Sequence, residues 1–213
     1  SNGKDFLYAL GAIKNVGYEA ISNVIKERNK NGKFKNISDF INRVNPKDIN
    51  KLQLEGLVRA GAFDEINNNR QALFNSIPNI ILKTKNNFEN KTLNQINLFD
   101  DEFKSNDDFL EKVDDWNIDN RLSKEFETLG FFISDHPLNQ YKVLFNQYNI
   151  TNFDHFENER NSLSSNVACT VLKVQEKKTQ KGNSYAIVKL SDLNNVFELF
   201  IFSDIFELNR DKL

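Results

Sequence analysis

The chain has 213 residues, 39% hydrophobic and 27% charged, with one cysteine, two histidines and a formal net charge of −2. At about 100–200 residues per domain it has room for one large domain or two small ones; the composition excludes a disulfide framework, a cysteine zinc site, a His-rich metal centre and a membrane span of about 18 apolar residues. Residues 1–61 carry eleven Lys/Arg against six Asp/Glu, residues 62–165 ten against eighteen, and residues 166–213 seven against six, so polyanion contact is expected in the first part and not the middle.

No methionine occurs, even at position 1, and the chain opens Ser-Asn-Gly, which reads as a segment cut from a longer protein. No signal segment leads it, and the lone Cys169 suits a reducing, cytoplasmic setting. Ala20, Ile21, Val24 and Ile25 recur at helical spacing, with Glu19, Ser22, Asn23, Lys26 and Glu27 on the other face. This helix is expected to start after Asn15-Val16-Gly17 and to end near residues 29–32. Ser38 and Asp39 are expected to cap a short helix through Val44, and Asn45-Pro46 reads as a cap followed by proline at the first helical position. Ile49, Leu52, Leu54, Leu57 and Val58 continue an apolar stripe that Ala60-Gly61 closes. The first segment is therefore read as two successive units of short helix, tight turn and longer helix.

Residues 70–85 read as a helix interrupted or restarted at Pro78, and 86–94 as a polar linker. An apolar island at 95–99 precedes an acidic stretch at 100–115, read as a solvated linker. A helix over 119–133 is expected to turn Leu122, Phe126 and Leu129 inward, and aromatic-rich helical pieces follow His136-Pro137 to about Phe156. From Val167 the period falls to two, which predicts strands at 167–175, 185–190 and 196–202. A basic turn at 177–182 joins the first pair, a turn at 192–195 the second, and a further helix begins near Asp204. The predicted class is mainly α with a small C-terminal β part. The expected divisions are a helical domain at 1–85, a linker at 86–118, a helical connector at 119–165 and the β part at 166–213.

Leu10-Gly11-Ala12-Ile13-Lys14-Asn15-Val16-Gly17, followed by the amphipathic helix, carries the first functional constellation. A tight turn into a helix N-terminus leaves backbone N–H groups without intrahelical partners, at the positive end of the dipole, where an anion binds. Gly17 permits close approach to a phosphate, Asn15 tolerates a left-handed backbone, and Lys14 and Lys26 add charge. The segment resembles a helix-hairpin-helix DNA-binding motif, with Asn15 in place of the usual first hairpin glycine. Its other reading is an ordinary helical corner. The second unit, Lys47-Asp48-Ile49-Asn50-Lys51, lacks a turn glycine, so Asn50 and Lys51 serve either as phosphate grips or as structure alone.

Three blocks occur in order: Ala9-Leu10-Gly11-Ala12-Ile13-Lys14-Asn15-Val16-Gly17, Gly56-Leu57-Val58-Arg59-Ala60-Gly61-Ala62-Phe63-Asp64, and Glu127-Thr128-Leu129-Gly130-Phe131-Phe132-Ile133-Ser134-Asp135-His136-Pro137-Leu138. Together they closely resemble the C-terminal part of the bacterial replicative DNA polymerase III alpha subunit family. The resemblance implies a tandem helix-hairpin-helix domain on duplex DNA, then a sliding-clamp-binding peptide, then the first three strands of a truncated oligonucleotide-binding (OB) fold. It also implies the other polymerase III holoenzyme subunits as partners and no membrane. The family's catalytic carboxylates and their magnesium would lie upstream, so this segment is expected to be non-catalytic and without a cofactor or metal of its own.

Gln95-Ile96-Asn97-Leu98-Phe99 looks like the family's internal clamp-binding motif. An extended peptide places Leu98 and Phe99 in an apolar cleft while the Gln95 amide sets register. In the β part, Lys173, Lys177, Lys178 and Lys181 are candidates for single-stranded nucleic acid, with Tyr185, Phe197, Phe200 and Phe202 as stacking surfaces or as core. His136-Pro137 is read as a helix-ending turn and Cys169 as a buried small residue. The alternatives are a protein-interaction scaffold without DNA contact, and a repair glycosylase or nuclease, which needs a Lys/Asp pair that the pattern does not place.

Overall fold

Apolar spacing becomes helix through the first unit of the computed structural model, which describes residues 8–92, 107–159 and 164–213. A 3-10 turn at Leu10–Ala12 leads through the first tight turn into α1, Tyr18–Asn31. Helix α2, Ile37–Arg43, begins at an Asn36 cap whose side chain accepts from the Asp39 N–H, two residues before the expected Ser38. Asn45-Pro46 opens only a 3-10 turn, Pro46–Asp48; α3, Lys51–Arg59, starts afresh at Asn50. Helix α4, Arg70–Asn75, stops at Ser76, and α5 runs Ile77–Thr92 with Pro78 in its first turn, where a missing N–H costs nothing. The chain thus restarts at Pro78, while residues 86–92, expected as linker, continue the helix.

These helices share one core in which Phe40, Leu54, Val58, Leu73 and Ile77 are each at most 2% exposed. Each such side chain contributes about 1.5–3 kcal/mol by leaving water. Phe40 meets both Phe34 and Phe63 edge-on at 5.2 Å.

The acidic stretch departs from its reading as a solvated linker. Its described part, 107–116, lies along the helices and satisfies their ends. Asp107 accepts from the Ile37 and Ser38 N–H groups and from Ser38 Oγ at the start of α2. Asp115 accepts from the Gln71 N–H at the start of α4, Glu111 from Asn75, and the Val113 carbonyl from Asn69. Leu110 enters the core, and Trp116 packs against Phe74 at 5.5 Å. Carboxylates fit at helix N-termini because they satisfy orphan N–H groups and meet the positive end of the dipole.

Helix α6, Ile118–Leu129, was expected within a connector over 119–165; it packs on α3, and the two structural units are Ser1–Ile133 and Ser134–Leu213. Leu122 faces inward as expected, Leu129 packs partly buried against the core and Phe126 is half-buried against Phe132, while Glu125, 0% exposed, and Thr128 are buried beside them. Glu125 is buried because Arg70 is there to meet it. Arg70, 2% exposed, forks onto Asp64 at 2.9 and 2.7 Å, reaches Glu125 Oε1 at 2.7 Å and donates to the Arg59 carbonyl. Arg121 bridges Asp64 and Asp115, and Glu125 Oε2 accepts the Ile133 N–H. Burial alone would lower the Arg70 pKa, but the two carboxylates outweigh it and hold the guanidinium charged.

In the second unit, a short parallel pair joins β1, Ile150–Thr151, to β2, Asn166–Val167. An antiparallel meander of β3, Thr170–Lys178, β4, Ser184–Ser191, and β5, Val196–Ile201, follows. Its register places Val174 opposite Val188 and Leu190 opposite Phe197, with an irregularity between Val171 and Lys173. Alternation buries Ala186, Val188 and Leu190 against Phe206 of helix α7, Ser203–Asn209. The fold class is as expected, mainly helical with a small antiparallel sheet.

Gly61 is the most crowded of the described glycines. Its φ is +74°, and a Cβ there would stand 2.2 Å from Arg70 Nη2. Gly61→Ala is expected to cost about 2–4 kcal/mol in urea unfolding of the chain, since it combines left-handed strain with displacement of a buried ion pair.

Candidate nucleic-acid interface

The first turn lies on the backbone of α3. A Cβ on Gly56 of α3 would stand 2.8 Å from the Lys14 carbonyl oxygen, so only glycine lets the first turn lie on that helix. The Lys14 N–H donates to the Thr128 carbonyl of α6 at 3.3 Å. Val16 and Ile49, the apolar residues of the two turns, are both buried. A Cβ on Gly17 would lie 3.8 Å from Gln53 Nε2, which sets the N-termini of α1 and α3 side by side.

The backbone inside Lys14 is therefore taken up by the fold, while its side chain, Asn15 and Gly17 remain exposed. Asn15 holds φ at 68°, the left-handed conformation expected of it. Gly17 caps α1 with no side-chain hydrogen bond, so the first N–H groups of that helix receive no cap from it. At α3 the arrangement differs. Asn50 Oδ1 accepts from the Gln53 N–H and Gln53 Oε1 accepts from the Asn50 N–H, a closed capping box. Asn50 thus has its oxygen and its N–H engaged within the protein, and Lys51 stands exposed, 3.9 Å from Glu55.

Lys26 is not at the turn. Nine residues beyond Gly17, it lies about 13 Å along α1, on a cleft shared with Lys30, Arg43, Asn45 and Asp48. Asn23 donates to Asp48 at 2.9 Å there, tying α1 to the second turn. Two exposed residues escaped the sequence reading. Matching the units at their caps, Gly17 and Asn50, puts Lys47 where Lys14 stands, three residues before each cap. That register was available in the sequence. Tyr18, the first residue of α1, is 78% exposed, which no sequence pattern signalled.

Residues Gln95, Ile96, Asn97, Leu98 and Phe99 lie outside the described residues. Lys177 and Lys178, expected in a turn, belong to β3; the turn itself closes with the Thr179 N–H on the Asn183 carbonyl. Lys173, Lys177, Lys178 and Lys181 are all exposed. Phe197 stacks on Phe153 at 3.8 Å within the protein, Tyr185 is half-buried, and Phe200 and Phe202 are exposed.

His136 opens a helix and does not end one. Its Nδ1 accepts from the Leu138 N–H at 3.1 Å, so the neutral ring carries its proton on Nε2 and donates to Ser191 Oγ at 3.0 Å. Ser191 in turn donates to the Asp192 carbonyl. With its lone pair on Leu138, the imidazole is no base for that hydroxyl. Burial raises the Cys169 thiol to about 11, which leaves it inert at neutral pH. Among the described residues no group of acidic, His or Cys side chains is arranged to hold a metal, and no helix is long and apolar enough to cross a membrane.

The fold and these turns define a helix-hairpin-helix segment, and residues 2–73 match a family described as the helix-hairpin-helix motif. The chain is 37% identical over 205 residues to the DNA polymerase III subunit alpha of Rickettsia bellii, covering 93% of this chain and 17% of that protein. It is 36% identical to that of Rickettsia prowazekii and 30% identical to that of Caulobacter vibrioides, there over 98% of this chain. The chain is homologous to the C-terminal region of the DNA polymerase III alpha subunit. It spans 17–18% of the length of these relatives.

Burial lowers the His136 pKa from its ordinary 6.5. Because the unfolded chain takes the proton first, stability is full above about 6.5 and falls as pH drops through the lower folded value. Thermal melting of the chain is expected to fall over that window and to lose this component in His136→Asn, whose side-chain oxygen accepts from Leu138 at any pH.

Proposed function

We propose that this chain is a non-catalytic, duplex-holding and clamp-tethering segment of a replicative DNA polymerase III alpha subunit. The observation that carries the reading is the pair of hairpins set side by side with Lys14 and Lys47 exposed in register and the α1 N-terminus uncapped. The helix-hairpin-helix match over the same residues supports it. A phosphate is held by main-chain N–H groups at Gly17 and Tyr18 and steered by Lys14; the second turn contributes Lys47 and Lys51. Such contacts read no bases, so affinity is independent of sequence. Asn50 contributes by closing α3 rather than by touching DNA.

Residues 95–99 fasten the polymerase to a sliding clamp on the same DNA, so that each release of the duplex is followed by rapid local recapture. The meander β3-β4-β5 supports the reading of an OB barrel's first strands, where Lys173, Lys177, Lys178 and Lys181 would face single-stranded nucleic acid. Nucleotidyl transfer, its magnesium and the contacts with other holoenzyme subunits belong to the rest of a cytoplasmic polymerase.

Lys14, Lys47 and Lys51 neutralise about three phosphates, so the logarithmic dependence of duplex affinity on salt is expected to have a slope of about −3. Lys14→Glu and Lys47→Glu should each weaken binding and make that slope shallower by about one, with Lys26→Glu the mildest of the three. Unchanged affinity in both turn variants would return the scaffold reading. For the tether, Leu98→Ala with Phe99→Ala is expected to abolish capture on immobilised sliding clamp; undiminished capture would remove 95–99 from the proposal.

A further inference from the structure

Tyr18 follows directly on the uncapped Gly17, and its side chain is 78% exposed. The inner edge of its ring lies against the 3-10 turn: a Cβ on Gly11 would stand 3.2 Å from Tyr18 Cδ2. Backbone thus supports the ring from one side while the other is open. A lone exposed apolar residue is ordinary, so its surroundings decide its meaning. Across the two turns and the first turns of α1 and α3, Lys14, Lys47 and Lys51 stand with Glu19 and Asp48. This face has a net formal charge of only +1, so ionic contacts to phosphate leave room for a non-ionic share of the affinity. Leu52 in the first turn of α3 is likewise 57% exposed.

A duplex offers apolar surface along its backbone at the deoxyribose rings between successive phosphates. We propose that Tyr18 is a sugar-contacting residue, its ring packed on the deoxyribose beside the phosphate held at the Gly17 turn. It supplies a share of duplex affinity that salt does not weaken. This inference rests on the DNA-binding reading above and adds to it a second, non-ionic component of the grip.

The 213-residue chain and its variants Tyr18→Ala, Tyr18→Gln, Tyr18→Phe and Lys14→Glu are titrated with one labelled duplex across a salt series, with melting curves recorded for each. The alanine and glutamine variants are expected to bind about five- to tenfold more weakly at every salt concentration, with the wild-type slope, while phenylalanine restores binding. Lys14→Glu alters the slope instead. Wild-type affinity in either Tyr18→Ala or Tyr18→Gln overturns the proposal, as does a loss that changes the slope or that phenylalanine fails to restore. A wild-type chain that binds no duplex at any salt concentration removes the DNA-binding reading and this inference with it, an outcome distinct from failure of the Tyr18 variants alone.

Discussion

The helical unit depends on one buried cation. Arg70 is nearly devoid of solvent contact, and its guanidinium ties the end of α3, the turn through Asp64 and helix α6 into one network. Through Glu125 it fixes α6, and α6 returns the favour at Thr128, whose carbonyl accepts the Lys14 N–H of the first turn. A buried ion pair contributes little net stability compared with well-packed apolar side chains. Its effect here is positional: removing either partner leaves a charge without solvent, so the segments that meet at Arg70 have one arrangement. The same demand explains Gly61, where a side chain would occupy the place of the guanidinium.

The strap at 107–116 shows how composition misleads about solvation. A run so rich in Asp and Glu reads as a linker because charged residues are rarely buried. Yet Asp107 and Asp115 each find backbone N–H donors at a helix start, and Leu110 and Trp116 supply the apolar contacts that hold the run down. Helices α2 and α4 are short, with little internal hydrogen bonding to offset their open ends. Caps from elsewhere in the chain are how such helices persist.

The two hairpins share a register and differ in chemistry. Val16 and Ile49 are buried alike, and Lys14 and Lys47 project alike. The cap, however, is glycine in one unit and an asparagine box in the other, so the first unit has open main-chain donors where the second has closed ones. Carboxylates at Glu19 and Asp48 stand among the lysines of both units, so little bulk charge gathers there.

Much of this was legible in the sequence. Periodicity placed α1, the stripe of α3 apart from Leu52, which is exposed, the restart at Pro78 and the change to strands after Val167, because each of these follows from spacing along a single segment. The left-handed Asn15 was legible for the same reason, as local backbone chemistry. Glu125 turned inward, the acidic strap docked, His136 became a cap and Asn50 closed on Gln53 only in the folded chain. Those outcomes depend on which polar groups meet across tens of residues, and a polar side chain's place is set by its partner rather than by its own preference for water.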